Sequence, residues 1–90
     1  MDERLKIRGA AKILAPAETL PLLKDMVARF ADQTWETTSY RVTQAGRYLL
    51  AELVFADVTW AEADQAMQYL SDRITGELPG GTPVVELVPA

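Results

Sequence analysis

The chain has no cysteine and no histidine. The first absence excludes disulfides, thiolate metal sites and thiol chemistry. The second removes the commonest general base and the commonest transition-metal ligand together. Basic residues are also scarce: 9 Lys and Arg stand against 13 Asp and Glu, for a net charge of -4 and a pI near 4.6. Nonspecific binding to nucleic acid needs cations to neutralise phosphates, so no nucleic-acid partner is expected. No apolar run approaches the ~20 residues that span a bilayer, and no signal-peptide pattern is present, so this stretch does not insert into a membrane.

What is there is a chain of 90 residues with 49% hydrophobic and 24% charged content. That suits one globular core. A chain this short buries roughly 60–70% of its unfolded surface, so cover from a partner subunit would matter to its stability.

The most informative stretch runs from Gly46 to Ile74. Residues 47–55 read as a strand that is apolar on both sides: Leu49, Ala51, Leu53 and Phe55 share one face, and Tyr48, Leu50 and Val54 the other, where Glu52 interrupts them. Such a strand needs two covers. Thr59-Trp60-Ala61-Glu62 is a capping box and predicts a helix start, after which Ala63, Ala66, Met67, Leu70 and Ile74 form a stripe. Gly76 marks its stop and Pro79-Gly80-Gly81 a turn. Upstream, residues 37–43 alternate, with Tyr40 and Val42 opposite Ser39, Arg41 and Thr43. Gln44-Ala45-Gly46 then closes a hairpin, with Gly46 suited to a positive φ.

An earlier amphipathic helix carries Leu20, Leu23, Met26, Val27, Phe30 and Ala31 and ends near Gln33; it starts within residues 15–21, where either Pro16 or Pro21 can sit in the first turn. Residues 1–15 read as a lead-in segment in which Ile7, Ala10, Ala11 and Leu14 have helical spacing, weakened by Gly9. Val84 to Pro89 suits an edge or terminal strand. The expected fold of 16–90 is therefore an α+β, open-faced, ferredoxin-like sandwich of order α-β-β-α-β. It has a three-stranded sheet with two helices on one face.

No catalytic constellation stands out. Ser39 and Ser71 have no histidine to activate them, no phosphate-binding glycine loop is present, and a non-enzymatic role is expected. The acidic residues Asp57, Glu62 and Asp64 near the second helix start fit the helix dipole. Glu52 and Glu86, within strands, need a partner, a metal or water.

The run Ser39-Tyr40-Arg41, Ala45-Gly46-Arg47-Tyr48, Ala51-Glu52-Leu53-Val54, then Val58 to Asp64 and Val85-Glu86-Leu87-Val88-Pro89, resembles the cytoplasmic C-terminal domain of cation diffusion facilitator transporters. The resemblance covers about residues 16 to 89. It implies a metallochaperone-like fold, a homodimer, and a cytoplasmic regulatory or stabilising domain attached to the membrane transport domain of the same parent chain, in an inner or plasma membrane transporter. It also implies a divalent metal cation, zinc or another, near Asp64, Glu86 and Glu52, with the family's usual histidine ligands absent. The uncovered strand face of Tyr48, Leu50 and Val54 is the expected dimer interface. The alternative is a stand-alone ferredoxin-like module that binds a small ligand or a protein, a reading drawn from the two-faced strand and from Trp35, Trp60 and Tyr69.

Overall fold

The computed structural model describes residues 3–33, 37–80 and 82–90. In chain order the elements are β1 (Leu5–Leu14), a single 3-10 turn (Ala17–Thr19) leading into α1 (Leu20–Gln33), β2 (Thr37–Ala45), β3 (Tyr48–Val58), α2 (Trp60–Glu77) and β4 (Val84–Pro89). The strands form one four-stranded sheet in the order β2-β3-β1-β4, with every pairing antiparallel. This is the ferredoxin-like fold, with order β-α-β-β-α-β and both helices on one face.

The sheet corrects the sequence expectation in one respect. The segment read as a helical lead-in is β1, an interior strand, so the sheet has four strands and not three. The reason lies in its alternation. Ile7, Gly9, Ala11 and Ile13 are all buried toward the helices, while Lys6, Arg8, Lys12 and Leu14 are exposed on the opposite face. Gly9 does not break a helix here. A Cβ on it would lie 2.6 Å from Cγ and Sδ of Met67, so the bare backbone lets α2 seat its methionine against the strand.

The hairpin forms as expected, with Gly46 at φ 62° in the turn and Val42 opposite Ala51. β3 is the long central strand, and its Leu49, Ala51, Leu53 and Phe55 are all buried against the helices. Both helices bring their predicted stripes to the same core, Leu23, Met26, Val27 and Phe30 from α1 and Ala63, Ala66, Met67, Leu70 and Ile74 from α2. The second helix runs one residue past Gly76, to Glu77, and the Leu78 amide closes it on the Ile74 carbonyl at 2.9 Å. Trp35 and Gly81 lie outside the described residues.

At the far end of β3 the strand bulges. Leu5 pairs with Val58 but Ile7 with Phe55, and the extra residue is accommodated at Asp57, whose φ is 58°. Arg4 Nη1 donates to the Asp57 carbonyl at 2.7 Å and to Glu62 Oε1 at 3.1 Å. The bulge, the N-terminus of α2 and the entry to β1 are thereby tied at one corner. Both halves of the capping box are present there: the Glu62 amide donates to Thr59 Oγ1 at 3.1 Å, and the Thr59 amide donates to Glu62 Oε1 at 2.8 Å. These bonds, that from the Thr59 backbone above all and then Arg4, hold the Glu62 carboxyl below its ordinary value of 4.5.

Candidate functional site

The helix side of the sheet is filled with apolar side chains, including Phe55, Leu53 and Met67 at 0% exposure. Polar and reactive groups lie instead on the open face and along the β2 edge. On the open face, the pairing register fixes which residues are neighbours. Arg41 of β2, Glu52 of β3, Ala10 of β1 and Glu86 of β4 stand in one row across the sheet. The next row in one direction is Ser39, Val54, Arg8, Val88. In the other direction it is Thr43, Leu50, Lys12, Val84. Tyr48, one step further, lies under the Lys12 ammonium, 4.2 Å from the ring centroid.

Glu52 is mostly covered and bonded to Arg41 Nη2 at 2.9 Å. Its need for a partner is thus met within the chain. Of the three residues expected near a metal, Glu52 and Glu86 share the open face but sit two strand spacings apart, roughly 10 Å. Asp64 is on the exposed side of α2, across the sheet. The three do not converge, and among the described residues no group of three or more carboxylates, histidines or cysteines could hold a metal ion. Tyr48, Leu50 and Val54, expected as an interface, do share the open face.

Two clefts meet at Tyr40 and Arg41. One, of about 350 Å³, lies at the β2 side of the open face and is lined by Arg8, Ser39, Tyr40, Arg41, Glu52 and Val54. The other, of about 410 Å³, runs between α1 and the β2 edge. Its floor is Ala28 and Val42, its wall the half-exposed ring of Tyr40, and its rim Lys24, Asp25 and Arg41. An apolar floor, one aromatic wall and charges only at the rim suit a small organic molecule with a polar end. One sequence signal marks this groove, a tyrosine that shares with Val42 one face of a strand whose other face is polar.

No family model matches the chain, and no curated protein does. Solved structures do resemble it. A conserved protein from Methanosarcina mazei Go1 superposes with a TM-score of 0.62 at 14% identity, over 96% of this chain and 93% of that one. A protein from Caulobacter crescentus CB15, provisionally named an antibiotic biosynthesis monooxygenase, gives 0.64 at 12% identity, over 99% and 92%. Its counterpart from Nitrosomonas europaea, named in the same provisional way, gives 0.63 at 6% identity, over 100% and 94%. Likeness at these identities establishes the ferredoxin-like fold.

These neighbours overturn the resemblance to cation diffusion facilitator domains, whose helix-first order lacks the strand that β1 supplies. Nothing in them supports cation efflux, transport or zinc. The expectation of a non-enzymatic chain falls with it, because two of these neighbours carry provisional enzyme names. They are proteins of nearly this chain's length, which favours a small ferredoxin-like module over a transporter's regulatory domain. No helix among the described residues is long and apolar enough to cross a membrane.

Proposed function

We propose that this chain is a small-ligand domain of the antibiotic-biosynthesis-monooxygenase type, which holds an organic molecule in the groove between α1 and β2 and oxygenates it. The observation that carries the reading is the groove itself: apolar floor, Tyr40 wall and a charged rim in which Lys24 and Arg41 outnumber Asp25, on a fold shared end to end with proteins of that name. The substrate class follows from the groove's chemistry. Lys24 and Arg41 at the rim favour the deprotonated form of a phenol or quinol, the form rich enough in electrons to reduce dioxygen. One oxygen atom then enters the product and the other leaves as water, with the substrate supplying the electrons.

The test is dioxygen uptake by the purified chain with a panel of quinols, read beside product mass. A mass gain from labelled dioxygen, lost in Tyr40→Ala, is the expected result. Absence of uptake across the panel, together with no saturable binding, would overturn the reading.

The same domain works as a homodimer whose open faces meet. Leu50 and Val54 are half-covered there, and Leu14, Tyr48, Val84 and Val88 are exposed beside them, with Val84 at 68% and Leu14 at 55%. An apolar patch on this scale, on a chain with so little of its own surface to hide, is supporting ground for a second copy. Sedimentation velocity should show a dimer at micromolar concentration, and Leu50→Asp should convert it to a folded monomer.

A further inference from the structure

We infer that the cleft on the open face is an anion subsite of the groove between α1 and β2: it takes the carboxylate of a short acidic arm on the molecule whose ring lies in the groove. This rests on the groove reading above and narrows its substrate to a phenol or quinol that carries a carboxylic acid. The ground is where the few basic residues stand. The chain has 9 of them against 13 acidic ones, yet Lys24, Arg41 and Arg8 succeed one another along the line from groove to cleft. Of the acidic residues on that line, Asp25 is bonded to Arg29 at 2.8 Å and Glu52 to Arg41 at 2.9 Å. Arg8 is the cation left over.

The two clefts are joined at the sheet's margin. Tyr40 and Arg41 line both, and β2 is the end strand of the sheet, so the way from one cleft to the other runs over a free edge with no further strand across it. Side chains alternate along a strand, which sends Tyr40 to the α1 side and Arg41 to the open face. Consecutive Cα atoms are about 3.8 Å apart, so a ring on Tyr40 needs only a short arm to bring its acid to Arg41.

Inside the cleft the donors are uncommitted. Among the described residues Arg8 forms no ion pair or hydrogen bond, and neither does the Ser39 hydroxyl. Arg41 meets Glu52 through Nη2 alone, which leaves Nη1 and Nε for a ligand. The register sets Ser39 and Arg8 on either side of Val54, each one strand spacing of about 4.8 Å away, so the three donors surround an apolar floor. Guanidinium forks bind a flat, two-oxygen anion through paired N–H groups, and a carboxylate has that shape. Glu52, whose side chain is only 18% exposed, holds Arg41 in place and offsets one of the two positive charges. One net positive charge remains, which matches a monoanion. Lys24 is then free to act on the phenol oxygen at the groove rim.

Titration calorimetry with three probes on one skeleton tests this: a naphthol, the same naphthol with a propionic acid arm, and the methyl ester of that acid. The acid should bind at least about tenfold tighter than its ester, and Arg8→Gln should bring the two together. Lys24→Gln, which touches all three probes alike, should weaken both and keep their ratio. An acid no tighter than the ester, while the plain naphthol binds, overturns the subsite and leaves the groove reading standing. An advantage that survives Arg8→Gln also overturns the subsite, and its loss in Lys24→Gln would then place the carboxylate at the groove rim. Binding by none of the three removes the groove and the subsite together. Arg8 is exposed, and unchanged circular dichroism confirms that its variant folds. The ratio of acid to ester in the natural chain is decisive even without the variants.

Discussion

Leu49 and Leu50 are the same residue type, adjacent on β3, and the molecule treats them as different objects. Leu49 is 1% exposed in the core under the helices, while Leu50 is half-covered on the open face, between Thr43 and Lys12. The two faces of one sheet thus follow two rules. On the helix side, apolar shape decides: small residues on β1, Gly9 and Ala11, make room for Met67 and its neighbours. On the open side, charges are placed between apolar residues in a regular array, the composition of a surface that meets water or another protein surface. Stability is concentrated on the first face, and the proposed association belongs to the second.

The largest effect expected from breaking that division is on the core side. Phe55→Ala should lose about 3–5 kcal/mol and Leu49→Ala about 2–5 kcal/mol, measured by urea denaturation. Leu50→Ala, measured at a concentration where the chain is monomeric, should lose under about 1 kcal/mol. Equal losses at Leu49 and Leu50 would abolish the distinction.

Next in size is Gly9→Val, which forces a branched side chain into the space of Met67 and should cost about 1–3 kcal/mol. Pairing it with Met67→Ala should recover part of that, and failure to recover would place the damage in β1 itself.

Thr59→Ala, at the corner joining the two faces, should cost about 1 kcal/mol through loss of the helix cap. Least of all is the response of Glu62. Its folded pKa is lowered, so its contribution is complete above its unfolded value near 4.5 and drains away as pH falls through the folded value. A pH series of melting temperatures should fall more gently below 4.5 in Glu62→Gln than in the natural chain, and parallel curves would contradict the cause assigned to the shift.

Local signals were legible wherever one short stretch carried the whole instruction. The capping box at Thr59, the turn at Gly46, both helical stripes and the split between Leu49 and Leu50 all read directly from spacing. β1 did not, because Gly9, Ala10 and Ala11 satisfy a period of 3.6 about as well as a period of 2, and only the sheet decides between them. That one ambiguity hid the most. With β1 absent, Glu52 and Glu86 had no common neighbour, and Arg8 had no place in the cleft beside Arg41. The grouping of Tyr48, Leu50 and Val54 needed β3 alone and was readable, whereas Asp64 was joined to Glu52 and Glu86 by resemblance and lies across the sheet from them. The groove at Tyr40 depends on how far α1 stands from β2, a distance that no spacing encodes.

The pairing of β1 with β4 has a consequence for how the chain acquires its shape. These neighbours come from opposite ends of the sequence: Ile7 is set opposite Pro89, and the Ala90 amide donates to the Lys6 carbonyl at 2.9 Å. During synthesis Ile7 and Ile13 must wait for β3, and β1 keeps one bare edge until β4 emerges. Contacts of such long sequence separation close slowly, and an unpaired strand edge invites the wrong partner meanwhile. Lys6, Arg8 and Lys12 place a positive charge at three of the five open-face positions of that waiting strand, where they oppose premature pairing with another copy of itself.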